Sequence, residues 1–582
     1  MGSHHSSLFI IIIILLFSSL LVSMTASSCV PTDAGPVVKT TPLVSFLERL
    51  QELAFQTYGP KNFDPKLYVD MSLKQSLEKT EEGFRSLVKS GNGSVSVADL
   101  DGFVKEYMEG ADEDLVYSEP VDFVDVPDGF LPGVLNAEIR DWALEVHSLW
   151  KNLTRKVSER VLEKPDFHTL LPLKEAVIVP GSRFREVYYW DSYWVIRGLL
   201  ASKMYETAKG IVANLISLIN QYGYVLNGAR AYYTNRSQPP LLTSMVFDIY
   251  NRTGDIQFLR NSLPPLLTEY EFWNSGIHRV TIKDSKGEIH NLNRYYAQWN
   301  TPRPESSTID KETASKLPND CEKTQLYREL ASAAESGWDF STRWMRNGSD
   351  LTTLWITSIV PVDLNAFILK MELDIAFLAN VIGEKSTAER FREASLTRQK
   401  AMNSILWNKE MGQWLDYWLT KGNTPKDGDF YNWEASNQNK QPFASNFIPL
   451  WISLFHSVME SFQASGLLQP AGIATSLTNS GQQWDFPNGW APLQQMIAEG
   501  LANYGTEESK SLAQEISSRW IRTNYVAFKK TGTMHEKYDV EKCGSYGGGG
   551  EYTPQTGFGW SNGVVLAFLE QFGWPKDMKV DC

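Results

Sequence analysis

Apolar residues recur at helical spacing along most of the chain, and this pattern predicts an all-α protein. The predicted helices cover residues 42–57, 194–222, 241–251, 264–275, 324–334, 362–382, 388–408, 447–462, 491–504, 507–523 and 563–572. Strand-like runs such as residues 279–282 are few, and clusters of Gly, Pro and Asp predict loops at residues 91–96 and 122–133. Because the helices follow one another without a long low-complexity linker, residues 29–582 are predicted to form a single domain.

Four tryptophan-bearing loops lie beside or directly before predicted helices. They contain Trp190, Trp338, Trp484 and Trp560, and in the first three an Asp directly follows the Trp. Repeated helix pairs that carry aromatic and acidic loops at one end predict an α/α toroid, a ring of helix hairpins whose loops converge on one cleft. Aromatic rings beside carboxylates and guanidinium groups suit a sugar, which stacks its C–H face and hydrogen-bonds through its hydroxyls. The structural alternative for each Asp is a bond to nearby backbone amides.

The charge balance disfavours one class of partner. The net charge is -13, and no Lys/Arg-rich run interrupts the sequence. Phosphate backbones are bound by positive charge, so no nucleic-acid partner is predicted. A neutral or cationic small molecule fits the composition better.

The first 28 residues have the features of a targeting segment. Residues 8–22 are an apolar run broken only by Ser18 and Ser19, and small residues suited to cleavage follow. They predict a secretory signal peptide, with an uncleaved membrane anchor as the alternative, although a spanning helix needs about 20 apolar residues. Export to the outside of the cell or to the outer face of the plasma membrane is supported by five glycosylation triplets, at Asn92, Asn152, Asn235, Asn251 and Asn347.

Neither a metal site nor a phosphate loop is predicted. The histidines show no paired ligand spacing. The cysteines, Cys29, Cys321, Cys543 and Cys582, are too few and too scattered for a zinc site or a disulfide framework, and form at most one or two bridges of unknown pairing. A glycine run at residues 547–550 lacks the Gly-Lys-Ser/Thr of a phosphate loop and is predicted to be a flexible lid.

Carboxyl groups supply the remaining chemistry. A glycoside hydrolase needs one protonated acid and one ionised carboxylate. Asp339 lies between two aromatic residues, and apolar surroundings raise the pKa of a carboxyl group, which suits the acid. Glu536 lies between His535 and Lys537, where positive charge favours the ionised form that suits a base. The alternatives are a helix cap for Asp339 and a surface ion pair for Glu536.

Two long segments resemble the signatures of the trehalases, the inverting glycoside hydrolases of family 37 that cleave α,α-trehalose to two glucoses. Residues 180–193 have the sequence PGSRFREVYYWDSY, and residues 483–492 have QWDFPNGWAP. Shorter stretches at 235–240, 335–341 and 547–552 are also similar, and the resemblance runs from about residue 43 to residue 574. Ser182 departs from the family, which usually has a second Gly there, so a positive φ at this position is in doubt.

The resemblance implies an (α/α)6 barrel, a trehalose substrate, and no metal or organic cofactor. It implies that Asp339 is the general acid and Glu536 the general base. The sugar contacts that it implies are Arg183, Trp190, Asp191, Asn227, Arg236, Ser237, Gln238, Arg303, Pro304, Glu305, Gly337 and Glu551. Because Asn235 lies within this set, where a glycan would obstruct the cleft, we expect it to be unmodified.

Two other functions stay open at this point. One is a different inverting α-glucosidase on the same fold, acting on a longer glucan or an N-glycan through a cleft that admits an extended chain. The other is a catalytically inactive sugar-binding or sensing protein, which would release no glucose from trehalose or maltose.

Overall fold

The computed structural model describes residues 35–61, 63–90, 95–181, 183–419, 430–454 and 458–582. The predicted leader at residues 1–28, Cys29, Ser182 and most of the predicted loop at 91–96 lie outside the described residues. The predicted loop at 122–133 is irregular, as expected.

Six elements of the described chain form a closed inner ring. Each contacts the next, and the last returns to the first. The elements, in order, are Asp191–Ala201, Leu242–Thr253, Val362–Val381, Ala444–Ile452, Ala491–Tyr504 and Gly559–Phe572. Several of them are buried on nearly every face, as expected for helices with apolar residues all round.

A second helix packs outside each inner element and alternates with it along the chain. These outer helices are Ala137–Leu153, Tyr205–Tyr222, Ile256–Trp273, Lys385–Ile405, Met459–Ala464 and Glu507–Thr531. The chain therefore folds as the predicted all-α toroid of helix pairs, and one large hydrophobic core fills the space between the two rings.

The segment ahead of the toroid carries its own smaller core. Its helices are Pro42–Tyr58, Pro65–Val69, Leu77–Ser90 and Val97–Tyr107. Their buried side chains pack together with Tyr188, Tyr232 and Tyr233, which belong to loops of the toroid. The N-terminal segment therefore packs on the first signature segment, residues 180–193, and on the loop that directly precedes residues 235–240.

The remaining elements are short. Three further helices are Glu159–Glu163, Ser307–Ala314 and Asp320–Ser336. The strands are Ser72–Leu73, Met108–Glu109, Leu115–Tyr117, Thr154–Val157, Val177–Ile178, Arg279–Lys283, Ile289–Asn293, Ile359–Val360, Trp407–Asn408, Gln413–Trp414, Tyr417–Trp418, Tyr431–Asn432, Leu468–Gln469, Gly472–Ile473, Asn488–Gly489 and Tyr538–Asp539. They form sheets of two or three strands, and the predicted strand at 279–282 is one arm of an antiparallel hairpin.

Two predicted helices are each divided into two elements in the structure. The helix predicted at 194–222 is an inner and an outer helix, separated by a turn in which Lys203 has φ 62. The apolar spacing continues through this turn, so periodicity alone gave no sign of it. The helix predicted at 447–462 is a 3-10 helix followed by a short α-helix, with Pro449 inside the first and Ser453 at φ 60 after it.

Within the described ranges, no helix has both the length and the apolar composition that crossing a bilayer requires.

We expect Gly563→Ala to destabilise the ring where its last helix meets its first. A Cβ on Gly563 would lie 2.0 Å from the carbonyl oxygen of Trp194. Overpacking of this kind lowers the free energy of unfolding by about 1–3 kcal/mol. The measurement is urea unfolding followed by tryptophan fluorescence.

The matched control is Gly102→Ala, at an exposed position of the helix Val97–Tyr107, where a Cβ would meet nothing within 4 Å. Because alanine has a higher helix propensity than glycine, this substitution should stabilise the protein by about 0.5–1 kcal/mol. Equal effects of the two substitutions would contradict close packing at Gly563.

Candidate active site

A cavity opens at the N-terminal ends of the inner helices. Asp191 begins the first of them, Trp490 directly precedes Ala491–Tyr504, and Trp560 lies in the first turn of Gly559–Phe572. The N-terminus of a helix carries partial positive charge and unpaired backbone N–H groups. This end of the ring therefore favours a ligand rich in oxygen atoms.

The cavity gathers nearly all of the predicted site residues. Those that line it are Asp339, Glu536, Arg183, Trp190, Asp191, Asn227, Arg236, Gln238, Arg303, Glu305, Gly337 and Glu551. Ser237 and Pro304 are buried beside it instead. The Ser237 hydroxyl donates to the Val225 carbonyl at 2.6 Å, and the Pro304 carbonyl accepts from the Gln51 amide at 2.9 Å, so both residues anchor the loops they belong to.

Asp339 has the electrostatic environment of an acid. Burial raises the pKa of its carboxyl group to about 7, opposed by Arg303 and assisted by Glu551. A carboxyl group with this pKa keeps its proton in a large fraction of molecules near neutral pH. The raised pKa agrees with the expectation drawn from its apolar neighbours, and the role of Asp339 as the acid stays a prediction.

Gly337 sets the path of the chain into Asp339. It ends the helix Asp320–Ser336 in the left-handed region, with φ 75. A Cβ at this position would lie 2.7 Å from the ring of Trp190. Glycine is therefore required both by the backbone conformation and by the close contact.

The second signature segment holds the backbone around Asp339. The Gln483 amide donates to the Asp339 carbonyl at 2.5 Å. The carboxylate of Asp485 accepts from the backbone N–H of Thr342 at 2.9 Å and from neighbouring Ser and Thr hydroxyls. Asp485 thus has the structural role considered for it, and that role is to support the loop of the acid.

Glu536 is held by hydrogen bonds at both oxygens. Its Oε1 accepts from the Tyr552 hydroxyl at 2.7 Å, and its Oε2 accepts from the backbone N–H of Gln555 at 3.1 Å. The Nζ of Lys537 lies 3.8 Å from Oε2, which places a cation beside it as expected. Burial lowers the pKa of His535 to about 4, so the expectation that His535 also supplies positive charge is wrong.

A third carboxyl group, that of Asp191, faces the same space. Its pKa is raised to about 8, chiefly by burial, with a smaller contribution in the same direction from Glu536 and Asp339 and an opposing one from a backbone hydrogen bond. Asp191 is therefore mostly protonated at neutral pH. It can donate a hydrogen bond to a sugar hydroxyl, a role that an ionised carboxylate does not have.

Two arginines of the cavity are paired with carboxylates that do not line it, and one of them, Arg303, is also paired with Glu551, which does. Arg183 donates to both oxygens of Asp64 at 2.8 Å, and its guanidinium lies over the ring of Tyr552. Arg303 donates to Asp310 at 2.7 Å and to Glu551 at 2.9 Å. These partners fix the orientation of each planar guanidinium.

Arg236 is paired within the cavity itself. Its Nη2 donates to Glu305 at 2.5 Å, and its guanidinium lies 5.0 Å from the centre of the Tyr233 ring. Burial raises the pKa of Glu305, but Arg236 and Arg303 outweigh it, and the pKa is lowered overall. Arg236 Nε and Glu305 Oε2 are buried without a partner in the described part of the chain. They suit a ligand that both donates and accepts hydrogen bonds.

Asn227 and Gln238 connect neighbouring segments of the chain at the cavity surface. The Gln238 side-chain oxygen accepts from the backbone N–H of Trp190 at 3.1 Å. The Asn227 amide donates to the carbonyls of Ser237 and Ala334, each at 3.3 Å. Both side chains therefore tie neighbouring loops together at the cavity surface.

Sequence reasoning did not place an aromatic wall or the polar residue Gln483 in the site. The cavity lining that it did not name as site residues includes Phe184, Tyr188, Tyr233, Gln483, Trp484, Trp490, Tyr552, Phe558 and Trp560. The rings of Trp484 and Trp490 stack face to face at 4.0 Å, so each holds the other in place. The sequence did carry a signal for these residues, because most of them adjoin a predicted site residue or lie in one of the tryptophan-bearing loops.

Lys537 is a buried cation next to the base. Its Nζ donates to the Gln483 side-chain oxygen at 2.7 Å. Burial lowers its pKa, and Glu536 and Asp339 partly offset this effect. Lys537 therefore connects the base to the segment that supports the acid.

The glycine run at residues 547–550 packs against the second signature segment. Gly548 and the Asn488 side chain exchange two hydrogen bonds, at 3.0 and 2.9 Å, and the N–H of Gly550 donates to the Gly481 carbonyl at 3.1 Å. Glu551 follows directly in the cavity. The opening and closing of this segment stays a prediction.

One disulfide occurs among the described residues and joins Cys543 to Cys582. It ties the end of the chain to the segment between Glu536 and Glu551. This pairing answers the question that spacing left open, and it agrees with the expectation of at most one or two bridges.

Asn235 is buried, whereas Asn152, Asn251 and Asn347 are exposed. The Asn235 side-chain nitrogen donates to the Tyr232 carbonyl at 3.0 Å. This geometry supplies a physical reason for the expectation that Asn235 is unmodified.

A hairpin brings together three groups of metal-ligand type that spacing did not reveal. They are Asp284, Glu288 and His290, whose ligand atoms lie within 4.8 Å of one another. Asp284 accepts from the backbone N–H groups of Lys286 and Glu288 at 2.9 Å and lies 3.0 Å from His290. These hydrogen bonds close the β-turn of the hairpin, and that structural role explains why the three groups lie together.

Comparisons with known proteins agree with one another. The family model for trehalase matches residues 60–573. The chain is 57% identical over 566 residues to a probable trehalase of Oryza sativa subsp. japonica, covering 94% of this chain and 99% of the relative. It is 39% identical over 520 residues to the trehalase of Homo sapiens, covering 88% of this chain and 86% of that one. The structure of the neutral trehalase Nth1 from Saccharomyces cerevisiae is similar, with a TM-score of 0.53 at 26% identity over 68% of this chain and 73% of that chain.

We expect Gly337→Ala to inactivate the site. The added methyl group would displace the Trp190 ring and the loop of Asp339, and a misplacement of ~1 Å in an active site costs about 100-fold in rate. The measurement is kcat/KM together with the thermal midpoint.

The matched control is Gly254→Ala, a helix-ending glycine with φ 65 and no atom within 4 Å of the added Cβ. Both substitutions carry the strain of the left-handed region, but only the first should reduce activity. Similar activity losses in the two variants would show that the Trp190 contact is unimportant.

Proposed function

This chain belongs to the trehalase family, and on that premise we propose that its cavity hydrolyses α,α-trehalose to two glucose molecules by an inverting mechanism. Asp339 is the general acid and Glu536 the general base. The observation that carries the proposal is the contrast between the two carboxyl groups in one cavity. Burial raises the pKa of Asp339 to about 7, whereas Glu536 accepts two hydrogen bonds and lies 3.8 Å from an ammonium group.

The reaction needs one proton donated and one removed. Asp339 gives its proton to the bridging oxygen as the bond from that oxygen to the anomeric carbon breaks. Glu536 takes a proton from a water molecule, and the water oxygen forms the new bond on the opposite face of the ring. An inverting pair stands about 6.5–9.5 Å apart to leave room for this water. The products are one β-glucose and one α-glucose.

The surrounding residues orient a substrate that carries only neutral hydroxyl groups. Arg236 Nε and Glu305 Oε2 are buried without a partner in the described chain, and Asp191 is a proton-bearing carboxyl group. The aromatic rings of the cavity lining offer apolar surface for the C–H groups of a sugar. The cavity thus combines positioning with charge stabilisation, the two largest contributions that side chains make to catalysis.

We also propose that the chain is exported, or anchored with its catalytic part outside the cell. The apolar run at 8–22 and the exposed triplets at Asn152, Asn251 and Asn347 support this location. The Cys543–Cys582 disulfide supports it further, because disulfides persist in oxidising compartments.

The anomers that form first test the mechanism. We expect wild-type protein to release equal amounts of α- and β-glucose from trehalose in an NMR time course, before mutarotation. Asp339→Asn keeps the shape of the side chain but has no proton to donate, so kcat should fall by at least about 100-fold with an unchanged thermal midpoint.

Three outcomes would contradict this proposal. Two α-glucoses would indicate retention. Release of glucose from maltose but not from trehalose would favour another α-glucosidase. No release from either sugar would favour a sugar-binding protein.

The pH profile tests the protonation state of the acid. Because Asp339 must carry a proton, kcat/KM should fall as the pH rises through about 7, the pKa to which burial raises its carboxyl group. Glu551 raises this pKa and Arg303 lowers it. Glu551→Gln should therefore move the basic limb to lower pH, and a limb that stays in place or moves upward would be inconsistent with Asp339 as the titrating acid.

A further inference from the structure

The partners of Glu536 come from one short segment. Tyr552 and Gln555 supply the two hydrogen bonds to its carboxylate, at 2.7 and 3.1 Å. Both directly follow the glycine run and Glu551. The segment that closes this side of the cavity is thus also the segment that orients the base.

Tyr552 is a hydrogen-bond donor in this pair. Burial, with the added effect of Glu536 and Asp339, raises the pKa of its hydroxyl well above the usual value. The hydroxyl therefore keeps its proton at neutral pH and donates it in the hydrogen bond to Glu536.

The direction of this hydroxyl is fixed by contacts to the ring. The Arg183 guanidinium lies 4.9 Å from the ring centre on one face, and the Phe184 ring makes an edge contact at 5.4 Å. Arg183 is in turn held by two bonds of 2.8 Å to Asp64, which caps the helix Pro65–Val69. A chain of contacts thus leads from the N-terminal segment to the base.

We propose that Tyr552 is a positioning residue for Glu536, an inference that rests on the proposed function. One oxygen of the carboxylate is directed by the Tyr552 hydroxyl and the other by the Gln555 N–H. A lone pair that these bonds leave unused then faces the attacking water. Tyr552 neither gains nor loses a proton in the reaction, since the proton of the water passes to Glu536 alone.

The test is Tyr552→Phe, which keeps the ring and its contact with Arg183 and removes only the hydroxyl. We expect kcat on trehalose to fall roughly 10- to 100-fold, the effect of losing one hydrogen bond to a charged group, with KM changed less than about 2-fold. The acidic limb of kcat/KM should move to higher pH, because a carboxylate that loses a donor takes up a proton more readily.

The matched control is Tyr270→Phe. Its hydroxyl also donates to a carboxylate, Glu372 at 3.0 Å, but it lies on the outer helix Ile256–Trp273. This variant should keep the wild-type kcat and pH profile even where its thermal midpoint falls.

A second variant keeps the inference testable where Tyr552→Phe is unstable. Asp64→Asn weakens the anchor of Arg183 and should move the acidic limb in the same direction by a smaller amount. An unmoved acidic limb in a folded Tyr552→Phe, or in Asp64→Asn, would overturn the inference, and so would a rise in KM alone. Failure of the proposed function is distinct, because wild-type protein itself would then release no glucose from trehalose.

Discussion

The proposed chemistry depends on burying the carboxyl group of Asp339 away from water and leaving it without an ion-pair partner among the described residues. Buried charges are stable only when they are paired, and each arginine of the cavity is a candidate partner for the acid. Arg183 is instead paired with Asp64, Arg236 with Glu305 and Arg303 with Asp310. Because these carboxylates satisfy the guanidinium groups, desolvation dominates at Asp339 and holds its proton.

This arrangement requires support from outside the toroid. Asp64 belongs to the N-terminal segment, and the same short helix contributes Lys66, which lies 2.8 Å from the fully buried Glu186. Arg230 Nε lies 2.7 Å from the other oxygen of Glu186. Removing one member of such a network leaves a buried charge without a partner, which is strongly destabilising. The N-terminal segment therefore stabilises the arrangement of the cavity through these ion pairs, although none of its described residues lines the cavity.

The features predictable from sequence are those that depend on neighbours along the chain. The helix Ala491–Tyr504 has the predicted bounds, since its apolar periodicity runs between Trp490 and Gly505. The raised pKa of Asp339 was predictable from its apolar neighbours in the sequence, because burial desolvates the carboxyl group, whereas its role as the acid stays a prediction. Tyr552 was not predictable, because its bond to Glu536 spans sixteen residues and depends on how the glycine run folds back. His535 is the opposite case. Burial lowers its pKa to about 4, so it does not carry the positive charge that its position beside Glu536 in the sequence suggested.

The assignment of acid and base has a physical basis beside the family signatures. An acid–base pair works when the two environments differ, one favouring the neutral carboxyl group and the other the ionised form. Asp339 has aromatic neighbours and is desolvated, whereas Glu536 accepts hydrogen bonds at both oxygens beside Lys537. Exchanging the two roles would make the desolvated carboxyl group the base, and would make the carboxyl group that already accepts two hydrogen bonds the proton donor. The proposed direction of proton transfer, from Asp339 to the substrate and from water to Glu536, therefore rests on which carboxyl group the fold desolvates and which one accepts hydrogen bonds from the protein.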